Sequence, residues 1–186
     1  NLESLVAEAS DLLMTNLQNF CEKEDLDELT PGAFSKVMDQ TVQLIQAVGQ
    51  LTIKRYLERH DIDEPTLQHN GQLYRKKYKQ GKDFITVIGK IRVNRSVYQK
   101  DSGGKSIAPL DRKWGMEHEY MSAKVQEGIL HACNNNTPTE VEQIIKKIAM
   151  YYVSPSAIKN LVRVNGKIIE ENKSELMDRI YDKEEL

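Results

Sequence analysis

Cysteine is scarce, with two in 186 residues. Cys21 and Cys133 both fall in helix-like stretches and neither belongs to a Cys-x-x-Cys pair, so free thiols in a reducing compartment are expected. The four histidines, His60, His69, His118 and His131, show no ligand spacing, and no metal site is proposed. Glu127 and His131 stand four apart and could pair on a helix surface. No apolar run approaches the roughly 20 residues that span a bilayer, and no signal peptide is evident. The first residue is not Met and the last four, Lys-Glu-Glu-Leu, continue a helical pattern, so a piece of a longer chain is expected.

Catalytic machinery is also missing. No Ser or Cys stands in a recognisable arrangement with a base and an orienting acid. Gly103-Gly104 lies between strand-like segments and runs through Lys105-Ser106 into Ile107-Ala108-Pro109, which does not match a phosphate-cradling loop. A two-metal nuclease needs three carboxylates on a rigid scaffold, and here the β-rich region offers mainly Asp111. The chain reads as noncatalytic, with no cofactor.

What is present is a sharp asymmetry of charge hidden in a net charge of -2. Residues 1–71 hold five Lys/Arg against thirteen Asp/Glu, residues 72–113 twelve against three, and residues 114–186 nine against twelve. The middle segment is therefore a +9 island in an acidic protein. Such a field attracts phosphate backbones or an acidic partner surface. The alternative is a solvated strand face whose cations pair with the acidic helices of the same molecule.

Val, Ile, Thr and aromatics concentrate between Phe84 and Asp111, punctuated by Gly71, Gly81, Gly89, Gly103 and Gly104, which predicts a small meander of short strands. After Gly89, Ile91, Val93, Arg95 and Val97 share one face, and Lys90, Arg92, Asn94, Ser96 and Tyr98 the other. The incoming segment carries Arg75, Lys76, Lys77 and Lys79 with Tyr74 and Tyr78 interleaved, suited to an edge strand. Trp114 and Met116 are expected to pack its exit.

The flanks read as helix. Leu2, Leu5, Val6, Ala9, Leu12, Leu13, Leu17 and Phe20 recur at helical spacing in residues 1–22, and an acidic linker follows over 23–29. Thr30-Pro31 opens a second helix to about Arg59, with Phe34, Val37, Met38, Leu44, Ile45, Val48 and Leu51 on one face. Two such stripes must find cover against the C-terminal helices or a second chain. Residues 61–65 read as a break. A helix is predicted from about Glu117 to His131, and another over Thr139–Met150 with Val141, Ile144, Ile145, Ile148 and Ala149 inward. Tyr151-Tyr152-Val153 then forms a turn, and Ser154-Pro155 caps a last helix containing Ile158, Leu161, Val162, Asn165, Ile168 and Ile169.

That helix, turn and capped helix match a helix-turn-helix arrangement, in which the second helix can enter a major groove. Ser156, Lys159, Asn160, Arg163 and Lys167 would face outward as candidate contacts to phosphates and base edges. The same geometry is also ordinary packing in helical domains.

Thr86 with Gly89, Arg95 with Tyr98, Pro109-Leu110-Asp111, Gly115, and Tyr120 with Ser122 occur in an order that resembles the N-terminal region of bacterial insertion-sequence transposases of the Mutator-like Asp-Asp-Glu group. Glu140 to Lys167 resembles that family's helix-turn-helix-like region, and the resemblance spans roughly residues 72–170. Many relatives carry Cys pairs flanking the ribbon; none stands there in this chain, which points to a metal-free version. The resemblance implies a downstream RNase H-like catalytic domain, a role in transposition and DNA recombination, and a cytoplasmic place on the bacterial nucleoid.

The expected fold is mainly α with a small antiparallel β-ribbon (α+β): a helical hairpin over 1–71, a basic β meander over 72–113 and a helical region over 114–186. The expected function is a noncatalytic DNA-binding and oligomerisation region that recognises double-stranded DNA at transposon ends, as a homodimer and without a membrane. Its DNA contacts would be Arg75, Lys76, Lys77, Lys79, Lys90, Arg92 and Arg95 on the ribbon and the five residues of the last helix. The alternative is a protein-interaction module whose ribbon docks on an acidic protein surface.

Overall fold

The computed structural model describes residues 2–23, 30–149 and 151–175. The expected acidic linker, the side chain of Cys21 and the last residues of the chain lie outside the described residues. The architecture is mainly α with a small antiparallel sheet, and the chain divides into two compact units, Asn1–Ser122 and Ala123–Leu186. Among the described residues no helix is long and apolar enough to cross a membrane.

The first unit begins with α1 (Leu2–Lys23) and α2 (Pro31–Arg59). Thr30 caps α2 with its hydroxyl accepting from the Ala33 amide at 3.1 Å, and Pro31 follows in the first turn, where a missing amide proton leaves no bond unmade. Three strands follow: β1 (Thr66–His69), β2 (Gln72–Thr86) and β3 (Gly89–Lys100), in the order β1-β2-β3. β1 begins just after the expected break at 61–65 and precedes Gly71, where the ribbon was expected to open. Asn70 and Gly71 both take positive φ, 50° and 72°, which is the turn that joins β1 to β2.

β2 and β3 are long, in contrast to the expected short strands. β2 runs straight through Gly81, whose bare Cα makes room for a guanidinium: a Cβ there would stand 2.6 Å from Nε of Arg92. The pairing slips between Lys76 and Tyr78, so Lys77 is the extra residue of a β-bulge.

One sheet face carries Phe84, Ile91 and Val93, which pack with Leu57 of α2, Leu110 of α3 (Pro109–Lys113) and Met116. Trp114 closes this core edge-on to Phe84, ring centroids 4.6 Å apart, as expected for the ribbon's exit. Burying each large apolar side chain of this set contributes about 1.5–3 kcal/mol.

The outer edge of β3 is covered rather than open. The amide of Asn94 donates to the Glu58 carboxylate, that of Ser96 to Asp61, and that of Tyr98 to the Ile107 carbonyl. The Tyr98 hydroxyl donates towards the carbonyls of Ile62 and Glu64, each 2.8 Å away. Ser96 and Tyr98 are therefore fully buried although alternation assigns them to the cationic face. On the far side, Ile85 exchanges bonds with Tyr120 and Ser122. That pairing holds residues up to Ser122 extended, which is why the expected helix from Glu117 begins only at Ala123.

The second unit holds α4 (Ala123–Ala132), α5 (Pro138–Ile148) and α6 (Pro155–Glu171). Thr137 and Glu140 form a reciprocal capping box at the start of α5, and Ser154 caps α6. Val125, Ile129, Val141, Ile145, Val153, Ile158 and Leu161 are buried. Ile148, expected inward, is 81% exposed, because α5 ends there and Ala149 is already extended.

Candidate nucleic-acid interface

Most ribbon cations are already engaged with carboxylates of their own unit. Arg75 meets Asp101 at 2.7 Å. Lys76 and Lys79 converge on Asp63, whose carboxyl is held down to about 2 by their hydrogen bonds. Lys90 and Arg92 share Asp83 at 2.7 and 3.0 Å, and the bond from Lys90 lowers its pKa foremost. These carboxylates belong to loops and strands, not to the acidic helices expected as partners. Two cations face one carboxylate in both the Asp63 and Asp83 clusters, so each keeps an excess positive charge.

Lys77, at the bulge, is exposed and pairs with no carboxylate among the described residues. Between the cover from β1 and the bonds to Tyr120 and Ser122, β2 carries Lys77 and Lys79, charges that keep a strand edge from pairing with another sheet.

Arg95 does not belong to this surface. It is 7% exposed, its Nε donates to both carboxylate oxygens of Asp111 at 2.8 and 2.9 Å, and its Nη1 donates to the Gln80 carbonyl at 2.9 Å. Its reach to phosphate from the strand face is corrected accordingly: it is a buried ion pair beneath the sheet's inner face. Alternation placed Arg95 on the core side, but no local signal tells that Asp111 returns beneath it.

The α6 candidates are arranged differently. Ser156, Lys159, Asn160, Arg163 and Lys167 are all exposed, and their spacing of three and four puts them in one stripe about 16 Å long. Nη2 of Arg163 donates to Oδ1 of Asn160 at 2.8 Å, which orients both side chains. Lys159, Arg163 and Lys167 meet no carboxylate among the described residues. The neighbouring cation Lys146 is by contrast engaged, bonded to Glu142 at 2.6 Å and lying over the Tyr152 ring.

Histidines and cysteine serve local structure. His60 approaches the Tyr56 carbonyl, His69 meets Nη1 of Arg112 and the edge of Tyr74, and His118 lies beside Glu117. Lys124 pairs with Glu127, the residue expected to meet His131. Burial pushes the Cys133 thiol pKa up, away from a reactive thiolate.

No family model matches the chain, and no curated protein is similar to it in sequence.

Proposed function

We propose that this chain is a noncatalytic DNA-binding and oligomerisation region of a transposase, and that α6 is the element that recognises transposon-end DNA. The observation that carries the reading is the outer stripe of α6: three cations without a carboxylate partner among the described residues, interleaved with Ser156 and Asn160, on the second helix of a capped helix pair. Arg and Asn are suited to bidentate contacts with guanine and adenine edges, and Lys to phosphates. The ribbon supplies a secondary, nonspecific attraction through Lys77 and the excess charge around Asp63 and Asp83.

The test is duplex binding by the whole chain with Lys159, Asn160, Arg163 and Lys167 each replaced by alanine. The expected result is loss of discrimination between terminal and random duplexes, with a flatter salt dependence. Unchanged discrimination with the fold intact overturns the assignment of α6.

Oligomerisation is supported by the hairpin of α1 and α2. Among the described residues of α1 none is buried, and in α2 Leu57 alone is. Val6, Met14, Phe34 and Ile45 are each more than half exposed. Pairing two hairpins into a four-helix bundle would cover these side chains. The same exposure also favours the second reading: an interaction module whose helices dimerise and whose ribbon docks on an acidic protein surface.

A further inference from the structure

Beneath the ribbon, β2, β3 and the segment 105–108 enclose a cleft of about 240 Å³. Three cations line it: Lys82, Arg95 and Lys105. Asp111 faces two of them, Arg95 through Nε and Lys82 at 3.3 Å, so a single buried carboxylate answers two charges. Glu117, the other carboxylate of the cleft, is drawn to Arg112 by bonds of 3.0 and 3.2 Å and lies in the field of His118 and Lys105. The floor is left with net positive charge.

Donor capacity is left over as well. Arg95 spends Nε on Asp111 and Nη1 on the Gln80 carbonyl, which leaves Nη2 for another acceptor. Lys82 gives two protons, to Asp111 and to the Met116 carbonyl at 3.0 Å, and retains a third. Both ammonium and guanidinium are largely shielded from water, at 25% and 9% side-chain exposure, where attraction for an anion is stronger than on an open surface. The Ser106 hydroxyl adds a neutral donor to the lining.

We propose that this cleft binds a phosphate group, with Arg95 and Lys82 on its floor and Lys105 and Ser106 at its rim. Donors arriving from two strands and a loop suit a tetrahedral anion with several acceptor oxygens. The inference goes beyond the DNA reading and does not need α6 to meet DNA. A phosphodiester of a nucleic-acid backbone and a free phosphate ion share this chemistry.

The experiment is a two-dimensional amide NMR titration of the whole chain with inorganic phosphate, at ionic strength matched with chloride, followed by addition of the dinucleotide TpT. Saturable shifts confined to residues around Lys82, Arg95 and 105–108 are expected. Lys105→Ala and, separately, Lys82→Gln should each weaken the phosphate about tenfold, the loss of one charge-assisted bond. Lys105 is exposed, so its replacement leaves the fold intact. TpT that displaces phosphate identifies a nucleic-acid backbone as the source, and phosphate that TpT fails to displace identifies a free ion; both support the site. Shifts that follow ionic strength alone, or that Lys105→Ala and Lys82→Gln leave unchanged, overturn it.

Discussion

Two aspartates illustrate how differently a carboxylate can act in one small sheet. Asp63 is exposed and held between Lys76 and Lys79, with its pKa lowered from 3.8 to about 2. A depressed carboxyl contributes stability above its unfolded pKa and loses it as pH falls through the folded value. Asp63→Asn should therefore lessen the decline of the thermal midpoint between pH 4 and 2, read by circular dichroism; an unchanged decline would place the acid sensitivity elsewhere. Asp111 is buried with Arg95. Removing one member of a buried pair costs about 3–5 kcal/mol, and Arg95→Ala should fall near 3 because Lys82 still partners Asp111. Urea unfolding measures it, and a loss within 0.5 kcal/mol, as for an ordinary surface site, would contradict the buried role. At this scale the sequence was least legible: alternation separates Arg95 from Arg92 by face, but nothing local shows that Asp111 returns to pair with Arg95.

Element boundaries were far more legible, because their signals are local. Thr30-Pro31 and Ser154-Pro155 each set a hydroxyl cap before a proline, and each begins a helix in the structure; Thr137-Pro138 does the same one residue before the expected start at Thr139. β1 was missed although Asn70-Gly71 announces a tight hairpin turn, since its four residues carry little β character. The start of α4 was misplaced because a strand contact from Ile85 outweighs the helical spacing around Tyr120 and Met121. Thr137→Ala removes the hydroxyl half of the capping box, leaving the backbone amide of residue 137 bonded to Glu140, and should destabilise the second unit by about 1 kcal/mol, seen as faster amide exchange in α5. Unaltered exchange would mean that Glu140 suffices alone. On α6, Asn160→Ala should reduce discrimination among duplexes by ~1–3 kcal/mol per base pair read, whereas Lys77→Ala on the ribbon should weaken all duplexes alike.

At the scale of the molecule, charge and exposed apolar surface point to two separate tasks. The acidic hairpin shows apolar side chains along both helices, and the fold class was readable from sequence because those stripes and the β-rich middle have different periods. What covers the stripes is not encoded locally; it depends on another surface. Light scattering of the whole chain should give a dimer that persists in high salt, as apolar burial predicts, and Leu13→Glu with Phe34→Glu should convert it to monomer. A monomer for the unsubstituted chain contradicts the four-helix arrangement. We propose that α6 recognises transposon-end DNA. The most direct test is fluorescence anisotropy of the chain with a labelled terminal-repeat duplex from its parent locus and a random duplex of equal length, across salt. Steeply salt-dependent binding to both is expected, with the terminal repeat retained at salt that releases the random duplex. Absence of binding to either duplex at about 50 mM salt, where electrostatic attachment is strong, would contradict it and leave the interaction module as the function.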